Sequence, residues 1–287
     1  MRTRIPPAAL LLASLCLVVA NGFVLAEAFR TDSANLTVSF LDVGQGDAIL
    51  IETPSGVSML IDAGKDRAAV RMIPRVLGPL DRDIDIVLAT HPDADHIGGI
   101  PDVLARYAVE TVLVSGRGAE SSQVDRFAAS LALEPGVRTI AARQGMRLHL
   151  GDQVYADVLY PEENVASLRE TNDASVIVRL VYEDTAFMLT GDAPMWVEDR
   201  LVAKYGTTLK SDILKAGHHG SKTSTGDLLL AAVDPETVVV SAGKDNSYGH
   251  PHEEVLTNIE ESGASVVSTA ERGTITFVSD GARVWQR

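Results

Sequence analysis

Short apolar runs separated by glycine, proline and aspartate fill the chain from residue 36 onward, and their spacing predicts its secondary structure. Alternating or continuous short apolar runs are typical of strands, whereas apolar residues three or four positions apart indicate amphipathic helices. Strands are predicted at 36–41, 48–52, 57–62, 84–89, 111–114, twice within 146–160, and at 175–182, 185–189, 213–215, 237–241, 266–269, 273–278 and 282–285. Helices are predicted at 67–77, 97–107, 122–131, 194–205, 224–232 and 252–262.

The order of these elements indicates an α/β protein. Strands open both halves of the region and then alternate with helices, and no low-complexity linker interrupts it. Such strands are buried when two sheets face each other and the helices cover the outer faces. We therefore expect residues 36–287 to form one folded domain.

The first 28 residues differ from the rest of the chain. Arg2 and Arg4 precede a stretch from residue 5 to residue 26 that has no charged side chain. At ~1.5 Å per residue, a helix of this length crosses a hydrocarbon core of ~30 Å. The small residue Ala26 also fits a signal-peptidase site before Glu27. The segment is either a membrane anchor or a signal peptide, and both predict that the remaining chain lies outside the cytoplasm.

Composition excludes several classes of protein. With 46% hydrophobic and 22% charged residues, most of the chain is not disordered. The formal net charge of −14 argues against a general nucleic-acid coat protein. Cys16 is the single cysteine, so the chain has no intramolecular disulfide and no cysteine-based metal cluster. Any metal must be held by histidine and carboxylate.

A dense group of metal-ligand side chains follows the predicted strand 84–89. His91, Asp93, Asp95 and His96 lie within six residues of one another. So many imidazoles and carboxylates on one turn repel and desolvate each other unless a cation compensates them. Capping of the next helix would explain one of these residues but not all four. Their spacing suits two adjacent metal ions.

These motifs resemble those of a known superfamily. Residues 91–96, His-Pro-Asp-Ala-Asp-His, resemble the metal motif of the metallo-β-lactamase superfamily, in a variant with Asp in place of the second His. Residues 60–64, 189–192 and 215–221 are similar to its first, fourth and fifth motifs. Together with residues 40–47 and 247–251, they resemble the extracytoplasmic hydrolase domain of the ComEC/Rec2 competence family of DNA-uptake channels. The resemblance covers about residues 36–285 and implies a four-layer αβ/βα sandwich.

The resemblance also implies a centre of two divalent ions, zinc or manganese. The candidate metal ligands are His91, Asp93, Asp95, His96, Asp192 and His218. His91 and Asp93 would hold one ion, Asp95 and His96 the other, and Asp192 would bridge them. Either His218 or His219 would complete the second site. We assign His218 to the metal and Asp95 and His219 to catalysis, and the choice between the two histidines stays open.

Substrate contacts are expected from the remaining motif residues. The candidates are Gln45, Asp47, Asn172, Lys215, Ser221, Lys222, Tyr248 and His250. The run from Lys215 to Lys222 is the most conspicuous positive cluster and suits a phosphate-sized anion. The position of Asp62 after a strand leaves a hydrogen-bonding role and a ligand role equally open, and the resemblance implies the hydrogen-bonding role. Tyr248 is the one aromatic residue near a motif, so the sequence predicts no base-stacking platform.

These features favour an exported or membrane-anchored phosphodiesterase or nuclease. Two close metal ions lower the pKa of a bridging water and supply hydroxide near neutral pH. The same centre could instead hydrolyse another ester, an amide or a lactam, because fold does not fix the substrate. A third alternative is a non-catalytic, metal-stabilised accessory of a separate membrane channel for DNA.

Overall fold

The computed structural model describes residues 35–162, 165 and 167–287, together with Ser14, Cys16, Leu17, Val19 and Asn21. The chain divides into two compact units, Met1–Ser33 and Ala34–Arg287. The five described residues of the first unit are helical. Within the described part of the chain, no helix is long and apolar enough to cross a membrane. Apart from those five residues, the predicted anchor or signal at 1–28 lies outside the described residues.

The second unit contains two sheets. Its strands are β1 (Leu36–Phe40), β2 (Ile49–Glu52), β3 (Ser58–Ile61), β4 (Asp83–Ala89), β5 (Ala108–Val114), β6 (Arg138–Ala141), β7 (Arg147–His149), β8 (Val154–Tyr160), β9 (Ile177–Tyr182), β10 (Thr185–Leu189), β11 (Ile213–Lys215), β12 (Thr237–Val240), β13 (Ser265–Ser268), β14 (Ile275–Ser279) and β15 (Val284–Gln286). The first sheet has the order β15-β14-β1-β2-β3-β4-β5-β6, and the second has the order β13-β12-β11-β10-β9-β8-β7.

Helices follow many of these strands. They are α1 (Ala68–Val76), α2 (Ala94–Ile97), α3 (Ile100–Leu104), α4 (Ser122–Ala132), α5 (Met195–Tyr205), α6 (Asp227–Val233), α7 (Glu253–Glu261) and α8 (Thr269–Arg272). Short 3-10 turns cover Asn172–Ala174, Gly206–Leu209 and Gly217–Gly220.

Apolar side chains form three layers between the elements. The layer between the sheets includes Phe40 and Phe277 of the first sheet and Phe187 of the second. The rings of Phe40 and Phe277 meet edge to face, with centroids 6.1 Å apart, and such pairs stabilise a core by about 0.5–1.5 kcal/mol beyond their burial. A second layer packs α1, α3 and α4 on the first sheet, and a third packs α5, α6 and α7 on the second. The result is the predicted four-layer αβ/βα sandwich.

Three elements differ from the sequence prediction, and one of them is the short helix α8 at Thr269–Arg272, which the prediction left as a connection between two strands. The helix predicted at 97–107 is divided into α2 and α3 at Gly98 and Gly99. A Cβ atom would lie 2.1 Å from the Lys65 carbonyl oxygen at Gly98, and 2.2 Å from that of Ala63 at Gly99. The backbones approach too closely there for any side chain. Strand β6 was not predicted because its residues are exposed and carry no clear apolar pattern.

The topology places the motif loops at one edge. Strands β3 to β6 are parallel in the first sheet, and β10 to β13 are parallel in the second. The carboxyl ends of parallel strands lie together at one edge of their sheet, where ligands commonly bind. The motif residues follow the ends of β3, β4, β10 and β11.

Candidate metal centre

Asp62, directly after β3, orients one of the motif histidines. The backbone N–H and the hydroxyl of Thr90 donate to its two carboxylate oxygens at 2.8 and 2.6 Å. His96 Nδ1 lies 2.7 Å from Asp62 Oδ2. Because this pair is fully buried, His96 uses Nδ1 as its donor and turns Nε2 toward the opposite side. A carboxylate that fixes a ligand histidine in this way is common around metal ions.

The loop after β4 packs against a glycine turn that connects β1 and β2. Gly46 has φ +131°, and a Cβ atom there would lie 2.2 Å from the Asp95 carbonyl oxygen. The Asp47 N–H donates to that same carbonyl at 3.2 Å. Only glycine allows this approach. The glycine turn therefore supports the ligand loop at the backbone of Asp95.

Asp192 lies at the centre of the group. Its Oδ2 is 3.3 Å from His96 Nε2, 3.4 Å from His219 Nε2 and 3.8 Å from His218 Nε2. His219 Nε2 is also 3.3 Å from Asp95 Oδ2. Side chains from distant parts of the sequence and from both sheets therefore converge.

The structure distinguishes the two adjacent histidines. Both have positive φ angles, 48° for His218 and 58° for His219. His219 is buried, and its Nδ1 lies 2.9 Å from the Ser241 carbonyl oxygen, so Nδ1 donates and Nε2 faces Asp95 and Asp192. The His218 side chain is 32% exposed, and its Nδ1 lies 3.5 Å from Asn172 Nδ2. This geometry favours His219 as the ligand, which reverses the assignment of His218.

Three buried nitrogen atoms in this group make no hydrogen bond to the described residues, although carboxylate oxygens lie near two of them. Nε2 of His91, His96 and His219 is buried without a hydrogen-bond partner among the described residues, and leaving a buried polar group unsatisfied costs about 1–3 kcal/mol. Four groups of three side chains each offer ligand atoms within 4.8 Å of one another. Two of them are His91 with His96 and Asp192, and Asp95 with His96 and His219; the other two contain Asp47, with Asp62 and His96 or with Asp192 and His219. Imidazole and carboxylate donors suit zinc or manganese. The residues present therefore fit a divalent metal.

The groups of ligand atoms overlap. His96 belongs to three of the four, but its Nδ1 is bonded to Asp62, so only Nε2 is left for a metal and His96 can serve one ion. Asp93 belongs to none of the groups, and its Oδ2 lies 3.7 Å from His91 Nε2 with the side chain 37% exposed. The pairing of Asp93 with His91 on one ion stays a prediction.

The charges around these atoms favour a cation. Burial and then the neighbouring His96 lower the pKa of His91, which therefore carries a neutral imidazole. Burial opposes the charges of His96 and His219, but Asp192 and other carboxylates raise both pKa values, that of His219 to about 9. Burial also opposes the charges of Asp95 and Asp192, yet the histidines lower the pKa of both. The carboxylates therefore stay ionised and stabilise positive charge between them.

Lys215 does not lie where a substrate phosphate could reach it, which corrects the predicted role. Its side chain is 0% exposed because β11 is covered on both faces. Nζ donates to the Gly191 carbonyl oxygen at 2.9 Å and pairs with Asp47 Oδ2 at 2.5 Å and with Asp192 Oδ1 at 3.4 Å. This contact holds Asp192 Oδ1 away from the histidines and leaves Oδ2 to face them.

Gln45 and Asp47, the two substrate candidates on the glycine turn, also make contacts inside the protein. Asp47 is 1% exposed and lies 3.4 Å from His219 Nδ1 in addition to its pair with Lys215. Gln45 Oε1 accepts a hydrogen bond from the Gly243 N–H at 3.1 Å. Asp47 is therefore behind the candidate ligands, and the structure does not bring it to a substrate surface.

The other substrate candidates line the mouth of the centre or its support. Ser221 is nearly buried and bonds to Thr223, whereas Lys222 is exposed. His250 lies 5.5 Å from His218 between ring centroids, and Tyr248 stacks on His250. Burial and then His218 lower the pKa of His250 to about 4, so it offers a neutral imidazole rather than a charge.

Three residues near the centre were missed by the sequence analysis. Asn246 holds the 246–250 loop through both ends of its amide, accepting from the His250 N–H and donating to the His250 carbonyl. Glu198 is buried and accepts hydrogen bonds from the N–H groups of Thr225 and Gly226. A carboxylate on the apolar face of a predicted helix was the available signal for Glu198. Trp196 is the third, and it lies four residues beyond Asp192.

The fold is an αβ/βα sandwich. At the edge of its sheets, histidine and aspartate side chains form a site that fits a divalent metal. The sequence profile of the metallo-beta-lactamase superfamily matches residues 41–244. The chain belongs to this superfamily. Membership supports a metal-dependent hydrolase, because proteins of this fold bind divalent metals.

Three curated relatives are similar to most of the chain. ComE operon protein 3 of Bacillus subtilis is 29% identical over 84% of this chain and 32% of the relative. Competence protein ComA of Neisseria gonorrhoeae is 31% identical over 88% and 33%, and Recombination protein 2 of Haemophilus influenzae is 28% identical over 87% and 30%. The chain thus spans about a third of the length of these relatives.

Two solved structures share the fold. CmlA, a diiron beta-hydroxylase from Streptomyces venezuelae, has a TM-score of 0.54 at 14% identity, covering 88% of this chain and 54% of its own. Igni18, a metallo hydrolase from Ignicoccus hospitalis, has a TM-score of 0.52 at 17% identity, covering 84% of this chain and 98% of its own. At these identities the likeness concerns the fold alone.

Proposed function

We propose that this protein is a metal-dependent phosphodiesterase or nuclease. The proposal is carried by the buried Nε2 atoms of His91, His96 and His219, which face the carboxylates of the centre and have no hydrogen-bond partner among the described residues. The superfamily supports hydrolysis, and relatives named for competence and recombination support a nucleic-acid phosphodiester as the substrate.

The chain's own residues would hold two divalent ions, zinc or manganese. His91, Asp95, His96, Asp192 and His219 would hold them, and His96 would serve one ion only, because its Nδ1 is bonded to Asp62. When bound, such ions supply a Lewis acid and lower the pKa of water.

Residues around the ions orient and balance the centre. Asp62 fixes the ring of His96, and the Ser241 carbonyl fixes that of His219. Lys215 neutralises part of the carboxylate charge from the buried side. On the exposed side, Lys222 and the neutral imidazoles of His218 and His250 are available to a phosphate.

The test is turnover of bis-p-nitrophenyl phosphate with manganese or zinc. Wild-type protein should hydrolyse it, chelation should stop the reaction, and Asp95→Asn and His96→Ala should abolish it. His149→Ala is the matched histidine control, because His149 is exposed on β7 and pairs with Tyr155 rather than with the centre. Turnover of nitrocefin tests the alternative that the protein hydrolyses a lactam. Hydrolysis of nitrocefin alone, or equal loss in all three folded variants, would overturn the proposal.

We also propose that the protein acts outside the cytoplasm, next to a separate membrane channel. The apolar segment at 5–26 and the competence relatives support this location. Fractionation of cells expressing the full chain tests it. Recovery of the protein in the cytoplasmic fraction would contradict the proposal.

A further inference from the structure

Trp196 is an exposed aromatic residue on the helix that follows the candidate ligand Asp192. It belongs to the first turn of α5, and 41% of its surface is exposed. Its indole Nε1 donates to Asp173 Oδ1 at 3.1 Å, which fixes the edge of the ring. Asp173 follows Asn172, whose amide nitrogen lies 3.5 Å from His218 Nδ1. Asp173 holds the indole, and the preceding residue, Asn172, contacts His218.

Tyr248 approaches the same histidine from a different loop. It is 64% exposed, and its ring stacks on that of His250 at an interplanar angle of 25°. His250 in turn lies 5.5 Å from His218 between ring centroids. Asn246 holds the loop by accepting from the N–H groups of Tyr248 and His250. The phenol ring is thus also fixed at one side and exposed at the other.

Both rings have the properties of stacking platforms. Each is fixed by a contact on one side, so little side-chain entropy is lost when a flat ligand covers the exposed face. His218 connects both contact chains to the centre, because its Nε2 lies 3.8 Å from Asp192 Oδ2. Flat groups on these rings would therefore flank a phosphate at the centre. Nucleobases are the flat groups that a phosphodiester substrate carries.

We propose that Trp196 and Tyr248 stack nucleobases of a single-stranded nucleic acid whose phosphate lies at the metal centre. This inference rests on the proposed function. Stacking requires exposed base faces, which a paired duplex does not offer. The net charge of −14 also disfavours a long duplex, because backbone attraction would be weak. Base stacking would supply affinity that electrostatics does not.

Intrinsic fluorescence gives a direct test. The chain has two tryptophans, so Trp285→Phe leaves Trp196 as the single reporter. We expect a short oligothymidylate to quench this fluorescence in the presence of a chelator, when no metal is bound. An abasic oligonucleotide of the same length is the matched ligand and should quench far less. Equal quenching by both ligands, or none by either, would overturn the inference.

Affinity measurements in the otherwise natural chain provide the second test. Trp196→Ala and Tyr248→Ala should each weaken binding of a labelled oligothymidylate by ~5- to 150-fold, the range that alanine substitution gives for one stacked base. Trp285→Ala is the control, because Trp285 is 43% exposed on β15 and distant in the topology. Equal affinities in all three variants would refute the stacking role.

The two proposals can fail separately. Turnover of bis-p-nitrophenyl phosphate without base-dependent binding would leave the hydrolase and remove the stacking positions. Base-dependent binding without turnover of any phosphodiester would keep the stacking positions and remove the hydrolase.

Discussion

Lys215 is a buried cation whose charge is balanced only by its ion pairs. Both partners, Asp47 and Asp192, are also nearly inaccessible to solvent. Breaking a buried pair from one side costs about 3–5 kcal/mol, because a desolvated charge is left uncompensated. Lys215→Met should therefore lower the free energy of unfolding by about 3–5 kcal/mol, measured by urea denaturation with a chelator present.

A surface ion pair provides the matched control. Lys210 Nζ lies 2.7 Å from Asp234 Oδ2, with the two side chains 70% and 69% exposed. Exposed pairs contribute little because solvent screens them. Lys210→Met should leave the unfolding midpoint nearly unchanged. Equal losses in the two methionine variants would show that burial of Lys215 does not determine its contribution.

The sequence predicted the residues of the centre better than their roles. Dense spacing was enough to single out the loop at 91–96, whereas the position of Asp62 after a strand left a ligand role open and only the resemblance favoured a hydrogen-bonding residue. Lys215 was assigned to phosphate because it opens the positive run from 215 to 222. Its true environment depends on the central place of β11 in the second sheet, between β10 and β12, and on the ion pair with Asp47 from the turn before β2. Such long-range neighbours are absent from a local pattern.

Helix α5 anchors the segment that follows the histidine pair. Both oxygens of Glu198 accept backbone hydrogen bonds from Thr225 and Gly226, at 2.8 and 2.9 Å. Burial raises the pKa of Glu198 from 4.5 to about 7. The folded protein therefore binds this proton more tightly than the unfolded chain does. Its stabilising contribution is complete below about pH 4.5 and is lost as the pH rises through about 7.

Glu198→Gln removes that titration and makes the loss measurable. Wild type should lose up to about 3 kcal/mol relative to the variant between pH 5 and pH 8. Glutamine turns an NH2 donor toward one of the two backbone N–H groups, so the variant starts less stable at pH 5, and the difference in free energy of unfolding narrows as the pH rises. Urea denaturation of both proteins at the two pH values, with chelator, measures it. A constant or widening difference would contradict the raised pKa.

Element boundaries were predictable where local pattern and burial agree. The hairpin of β9 and β10 follows from two apolar runs around Glu183 and Asp184, and the structure pairs these strands in antiparallel register. The break between α2 and α3 was not predictable from apolar spacing, which continues through Gly98 and Gly99. It depends on the close approach of backbone from residues 63–65.

At the scale of the whole molecule, the candidate centre joins the two halves of the sandwich. His91 and His96 follow β4 of the first sheet, while Asp192 and His219 follow β10 and β11 of the second. A cation bound by all four would link loops that otherwise meet only through side-chain contacts. Metal binding to the folded state therefore adds to stability by mass action.

Thermal unfolding of the full chain should reveal this link. At manganese concentrations of about 100 times the dissociation constant, binding adds about 2.7 kcal/mol. At ~2–4 °C per kcal/mol for a domain of this size, Tm should rise by about 5–10 °C over that measured with chelator. Asp192→Ala should lose most of this shift, because the shared anionic ligand is gone and two neighbouring cations would repel. Asn172→Ala should keep most of it, because water replaces a neutral amide oxygen. The Tm of each variant with manganese is compared with its own Tm with chelator. The stability that Asp192→Ala loses because Lys215 is partly unpaired is present in both values and cancels. An unchanged Tm in wild type, or a full shift in Asp192→Ala, would exclude a metal centre built around Asp192.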